Sequence, residues 1–284
     1  MYISVERSNM KNLKRLIFGS GKLGQHLSNE ETLCIPREKC DISDSAKIQQ
    51  IFDSLPMKPE VVINCAAKTN LEFCESNKDV AFQTNTVGVA NLLENCAQKN
   101  IKFVHISSGC LFDGNDSIST EESIPTPAAW YTYTKKWADE YIENYGYENY
   151  LILRPRQMIS ARANPTNMLT KFCNYKRIFV HKEPNSITCV EDFCDMLNFL
   201  VENNKNGIYN CCNDGVVTPY DIATGIKEYI LPELEVTEAS YEHTLTLQAN
   251  KRVNTILSND KLKEAGFTPR HAKDALRWCL ENYE

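Results

Sequence analysis

Between residues 14 and 110 the chain alternates short apolar runs with helical stretches, and this rhythm limits the fold more than any other feature. Strands are predicted at 13–18, 32–35, 60–67 and 101–108. A helix capped by Asp41 or Ser43 and a long helix over 77–98 stand between them. Parallel strands need crossover connections of this kind, so the pattern predicts an α/β fold with a doubly wound parallel sheet.

A further helix over 130–145 and a strand over 150–155 continue the pattern, which loosens after Pro155. Short helices are predicted near 165–175, 190–203, 218–230 and 271–283. We therefore expect a Rossmann-type NAD(P)-binding domain over 14–155. A smaller C-terminal substrate-binding lobe is expected over 156–284, and a return of its chain to the sheet is left open.

The segment "GSGKLG" follows the first strand and opens a helix, with glycines at 19, 21 and 24. Glycines in this context let the backbone approach a pyrophosphate at the helix amino terminus. The second strand ends at Arg37-Glu38. Arg37 suits the 2′-phosphate of NADP, whereas Glu38 would suit the ribose of NAD. NADP is favoured, with NAD kept as the alternative.

The net charge and the composition limit the classes of binding partner that we expect for this chain. The net charge is −6, and no long basic run favours nucleic acid or an anionic membrane. No apolar run approaches the length of about 20 residues that spans a bilayer. The first fourteen residues are predicted to be a polar tail, with Met10 as a second candidate start. Twelve cysteines without a C-x-x-C pair indicate reduced thiols in the cytoplasm rather than a disulfide framework or a metal site.

Two clusters carry candidate chemistry. Ser107, Ser108 and Cys110 come together where the strand over 101–108 ends, and ligands bind at the carboxyl ends of parallel strands. Tyr131 and Lys135 are four residues apart on a predicted helix, hence on one face. An ammonium group there favours phenolate and makes the tyrosine a usable proton donor. The alternative is a half-buried tyrosine beside a surface lysine.

The ordered segments "GSGKLG", "NCAAKTNLEFCES", "HISSGCLFDG", "YTYTK" and "LRPRQMIS" resemble the extended short-chain dehydrogenase/reductase superfamily. Within it, residues 14 to 270 are similar to the dTDP-4-dehydrorhamnose reductase group. They are more similar still to the bifunctional nucleotide-rhamnose synthases of plants and giant viruses. Two departures stand out. The glycine motif is one residue shorter than the usual one, and "SSGC" replaces the S-T-D-Y of simple reductases.

The resemblance implies a reductase triad of Ser108, Tyr131 and Lys135. Ser108 would bind the C4 carbonyl of the substrate, Tyr131 would protonate its oxygen, and Lys135 would hold the nicotinamide ribose. It also implies that Cys110 and Lys171 move protons at C3 and C5. The alternatives are that Cys110 fills space in its loop and that Lys171 is a surface lysine, with Lys176 or Arg177 as neighbouring candidates.

The resemblance implies contacts with cofactor and substrate as well. The cofactor set is Gly19, Gly21, Lys22, Leu23, Gly24, Arg37, Asp41, Ala66, Ala67, Lys68, Lys135 and Arg154. The substrate set is Asn70, Ser108, Cys110, Gln157 and Asn167. The expected partner is a UDP- or dTDP-linked sugar, and a homodimer is expected through the helices near 77–98 and 130–145.

The expected activity is synthesis of nucleotide-linked L-rhamnose. The enzyme would epimerise UDP- or dTDP-4-keto-6-deoxyglucose at C3 and C5 and reduce C4 with NADPH. One alternative is a C4 reductase alone. The other is a regulatory subunit that binds NADP without turnover, which has no need of the proton donor Tyr131.

Overall fold

The computed structural model describes residues 12–114, 118–247 and 253–284. Most of the predicted polar tail, including Met10, lies outside these ranges. The chain forms two compact units. The first unit contains the chain up to Ser107, then 129–153 and 205–208; the second contains 108–128, 154–204 and 209–284.

A six-stranded sheet is the centre of the first unit. Its strands are β1 (Arg15–Phe18), β2 (Thr32–Ile35), β3 (Val61–Asn64), β4 (Lys102–Ile106), β5 (Tyr150–Arg154) and β9 (Gly207–Asn210). The order is β2-β1-β3-β4-β5-β9, and β1 pairs in parallel with both β2 and β3. The strand order reverses at β1, which creates the crevice where such sheets bind ligands. The predicted doubly wound parallel sheet is confirmed.

The helices of the first unit cover a sheet whose inner strands are buried along almost their whole length. They are α1 (Lys22–Leu27), α2 (Ser45–Ser54), α3 (Leu71–Ser76), α4 (Lys78–Phe82), α5 (Gly88–Lys99) and α6 (Trp130–Asn144). Ile48, Leu92 and Phe103 lie in the shared core. Strands buried on both faces require this covering.

The cap of α2 corrects the sequence prediction. Asp44, rather than Asp41 or Ser43, accepts the backbone N–H of Lys47 at 3.0 Å. Asp41 cannot serve as this cap because its own carboxylate accepts the backbone N–H and hydroxyl of Ser43, at 3.1 and 2.8 Å. That arrangement leaves Asp41 in the loop before the helix, where the first unit has a cavity.

The helix predicted over 77–98 is not uniform. Between α4 and α5 the residues Gln83–Val87 form a π-helical segment. Thr84, Asn85 and Thr86 are buried within it. A wide turn of this kind changes which side chains face inward, and such segments concentrate at functional sites.

The second unit is built from two short parallel strand pairs, β6 (Met158–Ile159) with β8 (Thr188–Cys189) and β7 (Arg177–Val180) with β10 (Glu235–Glu238). Its helices are α7 (Met168–Cys173), α8 (Val190–Glu202), α9 (Pro219–Tyr229), α10 (Tyr241–Thr246), α11 (Asp260–Glu264) and α12 (Ala272–Glu281). Helices therefore lie in all four places that the sequence predicts after Pro155. Ile159, Ile222 and Leu276 belong to its core.

All twelve cysteines are free thiols, and seven of them are buried. They contribute to packing in both units and stabilise neither by a disulfide. Across the described ranges, every helix is too short or too polar to cross a lipid bilayer.

Candidate active site

The turn between β1 and α1 depends on three glycines in three ways. Gly19 has φ +103°, a conformation that side chains rarely adopt. A Cβ on Gly24 would lie 2.0 Å from the carbonyl oxygen of Gly19, so only glycine permits that close approach. A Cβ on Gly21 would enter open space. The turn therefore leaves room in front of the first residues of α1, where a phosphate group would lie.

That room opens into a cavity of about 210 Å³ in the first unit. Seven of the predicted cofactor residues line it: Gly19, Gly21, Arg37, Asp41, Ala66, Ala67 and Lys68. Lys22, Leu23 and Gly24 are not among the described residues that line the cavity. Gly24 instead packs on the turn itself. Sequence reasoning missed Ser20, Cys40, Ile42, Cys65 and Thr84, which lie beside the predicted residues or on the π-helical segment.

The cavity is lined by charges of both signs. Arg37 and Glu38 both line it, and the Arg37 Nε donates to Asp41 Oδ2 at 3.2 Å. Burial would raise the pKa of Asp41, but hydrogen bonds from Ser43 and the Arg37 charge outweigh it and lower that pKa. Burial, followed by the Arg37 charge, lowers the pKa of Lys68. Arg37 and Lys68 thus share the cavity with the carboxylates of Glu38 and Asp41, and both cations are available to a bound phosphate.

Asn85, on the π-helical segment, fixes the wall of the cavity. Its Oδ1 accepts the backbone N–H of Lys68 at 2.7 Å, and its Nδ2 donates to the Lys68 carbonyl at 2.9 Å. The same Nδ2 donates to Thr134 Oγ1 at 3.0 Å. One buried amide therefore ties the cavity loop to α6, one residue before Lys135. The sequence offers no signal for this tie, because it depends on the wide turn.

Lys135 has its ammonium group inside the first unit. The residue is 1% exposed, and its Nζ donates to the Ile106 carbonyl at 2.6 Å and lies 3.2 Å from His105 Nε2. Burial lowers the pKa of Lys135 to about 8, against the opposing effect of Asp139. Burial and the Lys135 charge hold the pKa of His105 well below its usual range. The alternative interpretation of Lys135 as a surface lysine is wrong.

Tyr131 lies one turn before Lys135 on the buried face of α6. It is 9% exposed and packs with Cys74 and Ala81. The backbone N–H of Trp130 donates to Glu75 at 2.6 Å, which anchors the start of the helix. Ser107, at the end of β4, has a buried hydroxyl without a partner among the described residues. That hydroxyl is a further candidate for contact with a ligand.

The second unit begins with Ser108 and Cys110. Ser108 caps the short 3₁₀ turn Gly109–Leu111, and its Oγ accepts the backbone N–H of Cys110 at 3.1 Å. Cys110 is half-buried. Arg156 Nη1 donates to the Cys110 sulfur at 3.2 Å, a contact for which the sequence carries no local signal.

Gln157 has the strongest structural sign of function among the predicted substrate residues. Its φ is +43°, which is rare for a residue with a side chain. Its Nε2 donates to the Met168 sulfur at 3.2 Å, while its buried Oε1 has no partner in the described part of the chain. The Gln157 Oε1 is therefore a buried hydrogen-bond acceptor that has no donor among the described residues.

Asn167 and Asn70 have structural roles that the predictions did not include. The Asn167 side chain is fully buried, and its amide donates to the carbonyls of Ser160 and Arg162 at 2.8 and 3.0 Å. Its Oδ1 accepts the N–H of Leu169 at 3.3 Å. This amide is occupied by its own unit, so the structure does not support the predicted substrate contact. Asn70 caps α3 through the N–H of Phe73 at 2.7 Å.

Lys171 is exposed in the last turn of α7. Of its neighbours, Arg177 is ion-paired with Glu235, with Nε donating at 2.6 Å, and Lys176 is exposed. Arg177 is therefore the weaker candidate for a proton-transfer role.

Arg154 is not among the described residues that line the cavity of the first unit, and its contact with the cofactor stays a prediction. It is 2% exposed, its guanidinium lies 5.8 Å from the centre of the Phe112 ring, and its Nη1 donates to the Glu121 carbonyl at 3.4 Å. Its position after an apolar strand and before Pro155 does not reveal that the aromatic ring comes from a segment 42 residues earlier.

The reversed strand order, the glycine turn and the helix that carries Tyr131 and Lys135 define an extended short-chain dehydrogenase/reductase fold. The chain belongs to the RmlD substrate binding domain family, whose model matches residues 14–284.

Three proteins illustrate the similarity. The chain is 30% identical over 225 residues to the bifunctional dTDP-4-dehydrorhamnose 3,5-epimerase/dTDP-4-dehydrorhamnose reductase of Arabidopsis thaliana, covering 75% of this chain and 73% of that one. It resembles the structure of dTDP-4-dehydrorhamnose reductase from Bacillus anthracis in complex with NADP. There the TM-score is 0.85, with 23% identity and coverage of 94% and 98%. For the UDP-rhamnose synthase of Acanthamoeba polyphaga mimivirus the TM-score is 0.83, with 24% identity and coverage of 95% and 99%.

The chain also matches a trifunctional UDP-glucose 4,6-dehydratase/UDP-4-keto-6-deoxy-D-glucose 3,5-epimerase/UDP-4-keto-L-rhamnose-reductase of Arabidopsis thaliana. It spans 42% of the length of that protein.

Proposed function

We propose that this chain makes nucleotide-linked L-rhamnose. It would epimerise UDP- or dTDP-4-keto-6-deoxyglucose at C3 and C5 and then reduce the C4 carbonyl with NADPH. The observation that carries the reductase part is the pairing of Tyr131 with a fully buried Lys135 on α6. The similarity to reductases of this pathway supports the same activity.

The cavity of the first unit fits NADP. Its glycine turn leaves open space at Gly21, and it carries the two cations Arg37 and Lys68. Asp41 holds Arg37 by one nitrogen, which leaves the rest of the guanidinium for a 2′-phosphate. NAD is the alternative, with Glu38 in the role of ribose ligand. NADPH, when bound, supplies the hydride that reduces C4.

The proton comes from the chain itself. Tyr131 donates a proton to the C4 oxygen, and Lys135 favours the phenolate that remains. A lysine with a pKa of about 8 is still charged at neutral pH and can supply this stabilisation. Ser108 completes the proposed triad by donating a hydrogen bond to the carbonyl oxygen of the substrate.

Epimerisation is assigned to Cys110 and Lys171. The C4 carbonyl acidifies the protons on C3 and C5, because their removal gives an enolate. Inversion needs proton removal on one face of the carbon and return on the other. Cys110 is half-buried and therefore accessible to a ligand, and Lys171 is exposed.

Deuterium exchange tests whether Cys110 and Lys171 carry out the epimerisation. In D₂O with NADPH and UDP-4-keto-6-deoxyglucose, the wild type should place deuterium at C3 and C5 of the product, as read by NMR. Cys110→Ser should lose incorporation at one or both carbons, and Lys171→Met should show a related defect. A wild type that incorporates no deuterium and reduces only a supplied 4-keto-L-sugar would establish the alternative, a C4 reductase alone.

Two further properties belong to the proposal. A homodimer is supported by exposed apolar side chains on α4 and α6, with Val80 41% exposed and Tyr133 41% exposed. Light scattering would test it. A cytoplasmic location is supported by the twelve free thiols. A regulatory subunit without turnover is disfavoured, because it has no need of the proton donor Tyr131.

A further inference from the structure

We propose that Arg156 is a positioning residue for epimerisation, which fixes the Cys110 sulfur and supplies the positive charge that its anionic form needs. This inference rests on the proposed function of Cys110. It concerns a residue to which neither the motifs nor the family resemblance assigns a role.

Arg156 is held from both ends within the second unit. Its backbone N–H donates to Thr188 Oγ1 at 3.0 Å, and that hydroxyl donates to the Cys211 carbonyl at 2.8 Å. Its Nη2 donates to the Val253 carbonyl. Its Nη1 donates to the Cys110 sulfur at 3.2 Å. These contacts fix the position of the guanidinium. Its Nη1 is therefore a fixed hydrogen-bond donor to the Cys110 sulfur.

The guanidinium of Arg156 is a buried charge. The residue is 8% exposed, and no carboxylate in the described ranges forms an ion pair with it. Its Nε is buried and without a partner among the same residues. A buried cation is costly unless an anion compensates for it. Among the described residues, the ionisable group that receives an Arg156 N–H is the Cys110 thiol, at 3.2 Å.

Gly109 shows that the loop is shaped around Arg156. A Cβ at Gly109 would lie 3.3 Å from both Cβ and Cδ of Arg156 and 2.5 Å from Cδ1 of Leu257. A side chain at position 109 would require Leu257 and the arginine stem to shift, so the glycine lets the loop that carries Cys110 pack against both.

The chemistry uses this pair directly. The Cys110 sulfur takes a proton from the carbon next to the C4 carbonyl, and the C–H electron pair moves into the enolate, with the charge on the C4 oxygen. Lys171 then donates a proton to the opposite face of the same carbon, and the enolate charge returns to the C4 carbonyl. Arg156 stabilises the sulfur in its anionic form, which is the form that accepts the proton.

The test uses Arg156→Gln, which keeps a polar side chain but removes the charge, and Arg156→Lys, which keeps the charge. Arg162→Gln is the matched control, because Arg162 is an exposed arginine of the same unit. Alkylation of Cys110 by iodoacetamide at one fixed pH is followed by mass spectrometry of its peptide. Deuterium incorporation at C3 and C5 is measured on the same proteins, and thermal melting checks their folding.

We expect Arg156→Gln to slow Cys110 alkylation by about tenfold or more and to lower deuterium incorporation far more than reduction of a supplied 4-keto-L-sugar. Arg156→Lys should restore much of both, and Arg162→Gln should match the wild type. Alkylation of Cys110 at the wild-type rate in Arg156→Gln would overturn the inference, as would an equal loss of reduction and epimerisation.

Two further comparisons decide the matter if a variant does not fold or if the wild type does not epimerise. Should Arg156→Gln fail to fold, the wild type alone gives the answer: Cys110 must alkylate about tenfold faster than Cys194, another half-exposed thiol, and equal rates would overturn the inference. Should the wild type incorporate no deuterium, the proposed epimerisation fails, while the alkylation comparison still decides whether Arg156 activates the sulfur.

Discussion

At the scale of the residue, burial of the Lys135 ammonium separates what the sequence predicts from what the fold adds. The four-residue spacing to Tyr131 correctly predicts one helix face. It does not predict the contacts of Nζ with the Ile106 carbonyl and His105, because β4 supplies them from 29 and 30 residues earlier. Contacts set by tertiary packing leave no local pattern in the sequence.

The lowered pKa of Lys135 makes stability depend on pH. Its pKa is about 8 in the folded chain and near 10.5 when unfolded, so between these values the unfolded state binds one more proton. Its contribution to the free energy of unfolding should therefore rise with pH, by about 1.4 kcal/mol per pH unit in this window. Urea unfolding of the wild type minus Lys135→Met should show that slope above pH 8 and none below it. A flat difference would contradict the buried ammonium.

Tyr131→Phe removes the proposed proton donor and keeps the ring that packs with Cys74 and Ala81. We expect kcat for reduction of a 4-keto-L-sugar to fall by on the order of 100-fold or more, the scale of lost general acid catalysis. NADPH binding, followed by fluorescence titration, should persist. Near-normal turnover would remove Tyr131 from the triad.

Arg37→Ala tests cofactor selection. The substitution removes the guanidinium beside Asp41, so KM for NADPH should rise by about tenfold or more while KM for NADH changes little. Glu38→Gln is the matched variant on the same loop, and it should affect NADH at least as much as NADPH. Equal effects of Arg37→Ala on both cofactors would show that another group reads the 2′-phosphate.

At the scale of the element, the sequence predicts the turn between β1 and α1 and the bounds of the helix over 77–98 closely, but not the wide turn inside that helix. The glycine spacing predicts the turn directly, because Gly19 has a positive φ and Gly24 leaves no room for a Cβ. The π-helical segment Gln83–Val87 is different: it brings Asn85 to both the cavity loop and α6, which are distant in sequence. An apolar periodicity read over 22 residues averages out a single wide turn.

Two alanine substitutions in this turn should separate stability from binding. Gly24→Ala places a Cβ 2.0 Å from the Gly19 carbonyl oxygen, so we expect a loss of about 1–3 kcal/mol in the free energy of unfolding. Gly21→Ala places its Cβ in open space, so the melting temperature should stay near that of the wild type while NADPH affinity falls. Calorimetry and fluorescence titration measure the two effects. Unchanged NADPH affinity in Gly21→Ala would mean that the phosphate lies elsewhere.

At the scale of the whole molecule, the sequence predicts the architecture but not the path of the chain. The doubly wound sheet follows from the strand and helix rhythm. The segment 108–128 belongs to the second unit although it lies between two parts of the first, and 205–208 belongs to the first unit although it lies between two parts of the second. The composition of neither segment indicates the unit to which it belongs. The unit is determined by contacts with residues that are distant in sequence.

The late return of β9 to the sheet has a consequence for synthesis on the ribosome. Strand β5 has β9 as its outer neighbour, and β9 ends at Asn210. Translation at roughly 5–20 residues per second delays that strand by a few seconds or more after β5 has emerged. During this interval β5 is an apolar edge with unpaired backbone groups, which invites pairing with another chain. The nascent protein is therefore most exposed to aggregation, and most in need of a chaperone, in the interval between its fifth and its ninth strand.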